Sequence, residues 1–534
     1  MTKSKAPYQV FSGNLETQQH ELDENIFVKR FAINRTKQLQ ERYRPRYHFV
    51  PPENDLNDPN GLCFWQDNWH LFYQARPMED NRVHWGHAIS KDLIHWEDLP
   101  YAIYPSLENH SFSGSCFVEE DRVIAAYYCC GGVNGVRIKV SSDPLLLNWD
   151  DVSELPQIPN AEIDDFGKPY MVYGPCIWKD GELYYILTGA WADGISPLSV
   201  HYSSEKIQCD GGPRCRPVDH LFVSSDLEHW EYSGEFVEGR LFGASGDDGS
   251  CPYFWPIGDK HILLTFSHVH SAMYIIGEYD RKRQRLVASK GGRLNTGMQG
   301  LGGIHAPSAF PDGSGGLNCI YNVTTSAGEL SGQTMSLPRN YTLGENDRLL
   351  MAPAGDVESL RKNPVELENI PLPANKEVVI DEVKGSSMEI VATIDPCESG
   401  FISLNVFRSP DKSEYTAINF YKNLGTDFSN TRFGVEFRDS LVTIDPSFAS
   451  TAPISKVRFK RVEQCEFEMK DGEALELRIF IDRSIVEVFV NNKSACLLRV
   501  YPQNSESIGF SMMSRSSAAI CKKLQSYEMN SIYK

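Results

Sequence analysis

The sequence predicts an all-β protein, a β-propeller followed by a β-sandwich, with a short helix in front. Three observations carry this. From about residue 46 to 345, short β-branched and aromatic runs such as HLFYQA, RVIAAYY, ELYYILTGA, KHILLTFS and AMYIIGEYD are cut by Gly, Asp, Asn and Pro. Many short strands with frequent turns mean a sandwich, a barrel or a propeller. Within this region SKDLIHWEDL (90–99) is echoed by SSDLEHWEYS (224–233) and more loosely by SSDPLLLNWDD (141–151). Repeats of roughly 40–50 residues, with insertions, suit propeller blades, although a recurring turn with a Trp packed beneath it explains the echo equally well. The third observation is the alternation in ALELRIFIDRSIVEVFVNNKSACLLRVYP, beside the hairpin-turn pairs Asp471-Gly472 and Asn491-Asn492, which predicts a sandwich.

Taken in order, residues 1–43 form an N-terminal extension. Its polar stretch 14–42, with Ile26, Phe27, Phe31 and Leu39 as apolar positions, reads as one helix ended by the prolines of RPRYHFVPP. Residues 44–345 are the propeller. Residues 346–375, rich in Pro and Asn and without apolar periodicity, read as a linker packed between domains, and 376–534 as the sandwich. In the alternating strand pattern Asp482 and Glu487 are expected to face solvent.

The chain's 534 residues exceed one ordinary core, which agrees with two large domains. A net charge of −19 argues against nucleic acid or an anionic membrane as partner, since both need a basic patch. It fits a neutral small substrate or a sugar polymer. The start MTKSKAPYQVFSGN lacks the apolar core of a signal peptide, and no apolar run reaches the roughly 18 residues of a membrane span. The thirteen cysteines are scattered without a CxxC pair. Cys209 and Cys215 are read as two free thiols, and the protein as cytoplasmic with reduced cysteines.

Chemistry enters at NDLNDPNGLCFWQDNWHLFYQARP (54–77). Asp-Pro-Asn-Gly is good turn sequence, so Asp58 has a purely structural reading. Around it, however, Trp65, Trp69, Phe72 and Tyr73 crowd one short stretch, Asn57 and Gln74 add amides, and HWGHAIS and HSFSGSC add indole and hydroxyl groups. Amides, hydroxyls and aromatic faces together are what a polyol site needs once water is excluded.

RPRYHFVPPENDLNDPNG, FYQARP, HWGHAISKDLIHWEDLPYAIYP, FSGS, MSLPR and LRIFIDRSIVEVFVNN occur in this order from about residue 44 to beyond 500. The set resembles glycoside hydrolase family 32, the invertases and fructan hydrolases. The resemblance implies a five-bladed β-propeller followed by a β-sandwich. It also implies retaining cleavage or transfer of β-linked fructose units, with Asp58 as the nucleophile. Asn57, Gln74, Trp85, Phe112 and Ser113 match positions that line the fructose pocket, core packing being the alternative for Trp85 and Phe112. A retaining glycosidase pairs a nucleophilic carboxylate with an acid/base carboxyl about 5–5.5 Å away, and a further carboxylate supports the transition-state charge.

Two positions depart from the family pattern. In MVYGPCIWKDGELYYILTGA, Tyr173 and Gly174 stand where Arg and Asp are expected, so the stabilising carboxylate is missing at Gly174. Asp164 or Asp165 are the nearest substitutes. In GASGDDGSCPYFWPIGDKHILLTFSH, Ser250 stands where the acid/base Glu precedes Cys-Pro. Asp247 and Asp248, just upstream, are the candidate acid/base, with a solvated turn as the alternative. His268 and His270 could line the site, with a satisfied structural role as the expected reading. The expected function is fructosidase action on sucrose, fructo-oligosaccharides or fructans, by hydrolysis or transfer, without metal or cofactor. An impaired member that binds fructosides without efficient turnover is the alternative, and a homo-oligomer is compatible with either.

Overall fold

In the computed structural model, residues 3–160, 170–191, 217–239, 242, 247–268, 270–296, 303–325, 332–425, 428–431, 434–453 and 462–533 are described. Asp164, Asp165, Cys209 and Cys215 lie outside them. Five sheets follow one another along the chain between residues 56 and 353, and two six-stranded sheets and one two-stranded sheet lie in the remainder. Each of the five is a blade with one innermost strand: Leu56–Trp65, Glu108–Val118, Pro175–Asp180, Ser250–Ile257 and Ile304–Pro311. These strands touch in sequence, and the fifth returns to the first, closing a ring. Among the described residues, no helix is long and apolar enough to cross a membrane.

The Asp–Trp echo is a blade feature. Asp92 Oδ1 accepts the amides of Ile94 (3.0 Å) and His95 (2.8 Å), and Asp226 Oδ1 those of Glu228 (2.9 Å) and His229 (2.8 Å). Asp143 takes the amide of Leu145 at 2.9 Å in the same way. The turns carry Leu93, Leu146 and Leu227 at φ 69°, 54° and 70°. A carboxylate that satisfies the turn amides holds a leucine in the left-handed region, which such a residue rarely visits. Each turn links the third strand to the outer strand of blades one, two and three, so the uneven spacing in sequence reflects insertions elsewhere in the blades.

Two sequence expectations about element boundaries are corrected. The N-terminal segment forms two helices, α1 (Leu15–Glu24) and α2 (Ile26–Gln38), because the Asn25 side chain caps α2 at the amides of Phe27 and Val28. Helix α2 packs Phe27 and Phe31 against Tyr101 of the first blade, and Arg35 grips Asp98 through two bonds of 2.8 and 2.7 Å. Residues 346–375 are not merely a linker: Leu349–Pro353 is the outer strand of the fifth blade and Arg361–Leu372 an edge strand of the sandwich. That edge strand is largely exposed, which is why it lacks an apolar rhythm.

Asp482 and Glu487 overturn the third expectation: both are fully buried. The face of their sheet that alternation assigns to solvent is covered by the propeller, and Phe480, Ile485, Phe489 and Leu497 join the propeller-side core. Asp482 accepts the backbone amides of Arg46, Tyr47 and His48 at 2.8, 2.8 and 3.0 Å. Glu487 takes Arg339 through Nε (3.0 Å) and Nη2 (2.8 Å) and the Leu337 amide at 3.1 Å. His48 joins them, Nδ1 at 3.0 Å from Asp482 and Nε2 at 3.2 Å from Glu487. Donation from both ring nitrogens requires the imidazolium form.

Burial opposes charge on all three groups, yet their contacts outweigh it. His48 and the amides hold the Asp482 carboxyl below its ordinary value, Arg339 and His48 do the same for Glu487, and the two carboxylates raise His48. The depressed carboxyls contribute stability above their unfolded values near 4 and lose it as pH falls through the folded values. His48 contributes below about 6.5 and loses it as pH rises through its raised folded value. Urea-denaturation midpoints across pH should therefore show this cluster's contribution greatest between about pH 4 and 6.5. Arg339→Met, which strands Glu487, should cost about 3–5 kcal/mol in the same measurement.

Candidate active site

The starts of the inner strands share one irregularity. In blades one, two, four and five the inner strand carries one more residue than its partner: between Leu56 and Pro59, Ser111 and Gly114, Ser250 and Tyr253, and Ile304 and Pro307. Such bulges re-aim side chains. The bulged residues are Asn57 and Asp58, Phe112 and Ser113, Cys251 and Pro252, and His305 and Ala306. Cys251 has φ 46°, a cost that a non-glycine residue bears only where its surroundings impose it. Gly174 immediately precedes the inner strand of blade three. One end of the ring thus gathers residues from all five blades.

Asp58 is at the centre and only 5% exposed. Its Oδ2 accepts the Ser113 hydroxyl at 2.5 Å and the Gln74 amide at 3.1 Å, with the Cys251 thiol at 3.9 Å. Gln74 also donates to Ser113 at 2.6 Å and accepts from Asn57 Nδ2 at 3.4 Å. It stands opposite the first bulge, so one amide organises both bulged residues. Asp58 Oδ1 makes no hydrogen bond among the described residues, and the His305 ring nitrogen Nδ1 lies 3.5 Å from it. Burial alone would raise the Asp58 carboxyl. His305 and the Ser113 hydroxyl outweigh burial and hold it below the usual value, as an anion with one oxygen uncommitted.

Around this carboxylate, Asn322 Nδ2 donates to Asn57 at 2.8 Å. Phe112 is half-buried and begins an aromatic wall. Its ring is 6.1 Å from Tyr128, which is 5.2 Å from Tyr173. Trp85 does not line the pocket. It is wholly buried against Phe72 and Tyr127, and its Nε1 donates to the Phe112 carbonyl at 2.8 Å, so it supports the wall from behind. A Cβ at Gly174 would meet Cys251 Sγ at 3.0 Å and Ser113 Cβ at 3.1 Å. A carboxylate at Gly174 would therefore enter beside the groups that hold Asp58, and Ser113 or Cys251 would have to give.

Neither acid/base candidate is a solvated turn. Asp247 is fully buried, with Oδ1 at 2.8 Å from His270 Nδ1 and Oδ2 accepting Arg293 at 3.0 Å. Asp248 is also buried. Its Oδ2 accepts Ser250 Oγ at 2.7 Å and His268 Nδ1 at 2.6 Å, and its Oδ1 the His268 amide at 3.1 Å. His268 stands near this group. Its ring lies 4.8 Å from Phe266 and 6.0 Å from His305, and its electrostatic neighbours are Asp248 and Asp58. His305 and Asn322 escaped sequence reading, because nothing in GGIHAPSAF or LNCIYNV distinguishes them from ordinary strand residues. No group of three or more His, Cys, Asp or Glu among the described residues is placed to hold a metal.

A five-bladed propeller fused to a sandwich, with a buried anionic carboxylate ringed by amide, hydroxyl and aromatic groups, has the architecture of a glycoside hydrolase. The chain belongs to glycosyl hydrolases family 32: the family's N-terminal domain matches residues 48–208 and its C-terminal domain residues 356–528. It is 24% identical over 538 residues to levanase from Bacillus subtilis, covering 92% of this chain and 71% of the levanase. It is 28% identical over 528 residues to β-fructofuranosidase, insoluble isoenzyme 4, from Oryza sativa, covering 86% and 83%. The crystal structure of fructan 1-exohydrolase IIa from Cichorium intybus superposes with a TM-score of 0.74 at 22% identity, covering 92% of this chain and 98% of that one.

The Ser113 hydroxyl is a test of the electrostatics. Ser113→Ala removes a donor to a charged acceptor, an interaction worth about 1.5–3 kcal/mol. The Asp58 carboxyl should then titrate higher than in the wild type, read by carbon NMR of the labelled carboxylate.

Proposed function

We propose that this protein is a retaining β-fructofuranosidase that removes terminal fructosyl units from sucrose, fructo-oligosaccharides or fructans, with Asp58 as nucleophile. The observation that carries the reading is the state of Asp58: a buried anion held through one oxygen, with the other uncommitted. In this mechanism Oδ1 attacks the anomeric carbon and forms a fructosyl ester, which water or an acceptor sugar then opens. Asn57, Gln74, Asn322 and Ser113 supply donors and acceptors for fructose hydroxyls, and the wall of Phe112, Tyr128 and Tyr173 offers apolar faces to the sugar rings. The levanase and β-fructofuranosidase names of the relatives support the same substrate class.

A second reading, binding of fructosides with impaired turnover, is favoured by one observation: Gly174 brings no carboxylate to stabilise the transition state. Gly174→Asp should raise kcat by orders of magnitude if that absence limits the reaction, because the restored interaction acts in the transition state. An unchanged or lower kcat in a folded variant would show that another group fills the role.

The direct test is release of fructose from sucrose, inulin and levan. The wild type should release it, and Asp58→Ala should lower kcat at least about a thousandfold. Binding by calorimetry with no release at high enzyme concentration would favour the second reading, and activity unaffected by Asp58→Ala would overturn the first.

A further inference from the structure

Ser250 lacks the acidity to protonate a departing sugar, and the two nearby carboxylates have other commitments. Asp247 has both oxygens engaged, one by His270 and the other by Arg293. Asp248 has both oxygens occupied, by Ser250 and by two groups of His268. These bonds define the histidine instead. Asp248 fixes Nδ1 as a donor and anchors the residue's backbone amide, so ring orientation and tautomer are set. Nε2 is left without a hydrogen-bond partner among the described residues, on a side chain that is 10% exposed.

We propose that His268, positioned by Asp248, is the acid/base of this site. The assignment rests on the reading of Asp58 as nucleophile. Cleavage would begin with Asp58 Oδ1 bonding to the anomeric carbon. The bond from that carbon to the leaving oxygen breaks, its electron pair stays with the oxygen, and the oxygen takes the proton from His268 Nε2. The neutral imidazole then accepts a proton from water as the water oxygen bonds to the anomeric carbon and the ester to Asp58 breaks. This returns the Asp58 carboxylate and the His268 imidazolium, so protons and charge balance over the cycle.

The surroundings suit this task. His305 of blade five stands between the two groups, its ring 6.0 Å from that of His268 and its Nδ1 3.5 Å from Asp58. Among the described residues, the charged and titratable groups facing His268 are Asp248 on its own blade, Asp58 on blade one and His305 on blade five. Burial would push the imidazole down, but Asp248, with Asp58 behind it, raises it above its ordinary value. A histidine near 6.5 that is raised by its neighbours is protonated where Asp58 is ionised. Ser250 has a role here as well, since its hydroxyl donates at 2.7 Å to Oδ2, the same Asp248 oxygen that meets the ring nitrogen, and helps fix that carboxylate in place.

Leaving-group dependence tests the assignment. Sucrose needs protonation of its leaving oxygen, whereas 4-nitrophenyl β-fructofuranoside does not. His268→Ala and the shape-conserving His268→Gln should lower kcat/KM on sucrose by about 10²–10⁴-fold and on the nitrophenyl substrate by less than about tenfold. In the wild type the alkaline limb of kcat/KM should appear with sucrose and be weak with the nitrophenyl substrate. Asp248→Asn should move that limb to lower pH, since the neighbour that raises the imidazole loses its charge. Folded His268 variants with the same sucrose-to-nitrophenyl ratio as wild type would overturn the assignment while leaving the fructosidase reading intact. A wild type inert on both substrates, with Asp58→Ala no different, would overturn both.

Discussion

The site depends on one extra residue, inserted at the same place in four inner strands. A regular strand sends alternate side chains to opposite faces of its blade. At the start of an inner strand, neither face looks along the ring. The bulge breaks that alternation and turns a pair of residues toward the common end. Asp58, Ser113, Cys251 and His305 all arrive this way, each from a different blade. A carboxylate, a hydroxyl, a thiol and an imidazole meet although the intervening chain is more than 190 residues long between Asp58 and Cys251. The unfavourable φ at Cys251 belongs to the same device. The sheets behind the bulges are densely buried, so they can impose a local conformation that an isolated strand would not adopt.

Two carboxylate clusters illustrate how the same residue types reach different ends. Asp482 and Glu487 are saturated: their oxygens meet amides, an imidazolium and a guanidinium with no oxygen left over. They therefore join structure to structure. Asp58 has a comparable degree of burial but an uncommitted oxygen, and Asp248 divides its oxygens between the Ser250 hydroxyl and the ring and backbone amide of His268. What separates a clamp from a reactive group here is the count of satisfied lone pairs, not depth or charge.

Much of the architecture was legible because it is written as periodicity and punctuation. The Asp–Trp echo marks blade turns whose carboxylates satisfy backbone amides, and Asp58 stands out through its company of amides and indoles. Other features have no such signature. A single extra residue in a strand leaves its composition unchanged, so the bulges and His305 were invisible. Alternation at Asp482 and Glu487 correctly separates two faces, but it cannot tell that a second domain covers the outer one. Asn25 sits in a polar stretch where its capping role, and hence the break between α1 and α2, looks like any other polar residue. His268 follows a strand and resembles a core histidine until its contact with Asp248 is seen.

The N-terminal segment carries a further consequence. Each described blade is made from one continuous stretch of chain, so no strand is borrowed across the junction of the last blade with the first. The stretch from Arg46 to Val50 lies at that seam instead. The Phe49 carbonyl accepts the Met335 amide and the Thr334 hydroxyl of blade five, both at 2.8 Å, and the amides of Arg46, Tyr47 and His48 end on Asp482 of the sandwich. The circle is thus fastened by a latch rather than by a shared strand, and the latch's anchor belongs to the other domain. The sandwich is in this sense the keeper of the ring, and the alignment of residues at the ring's end is tied to a domain that contributes none of the described site residues.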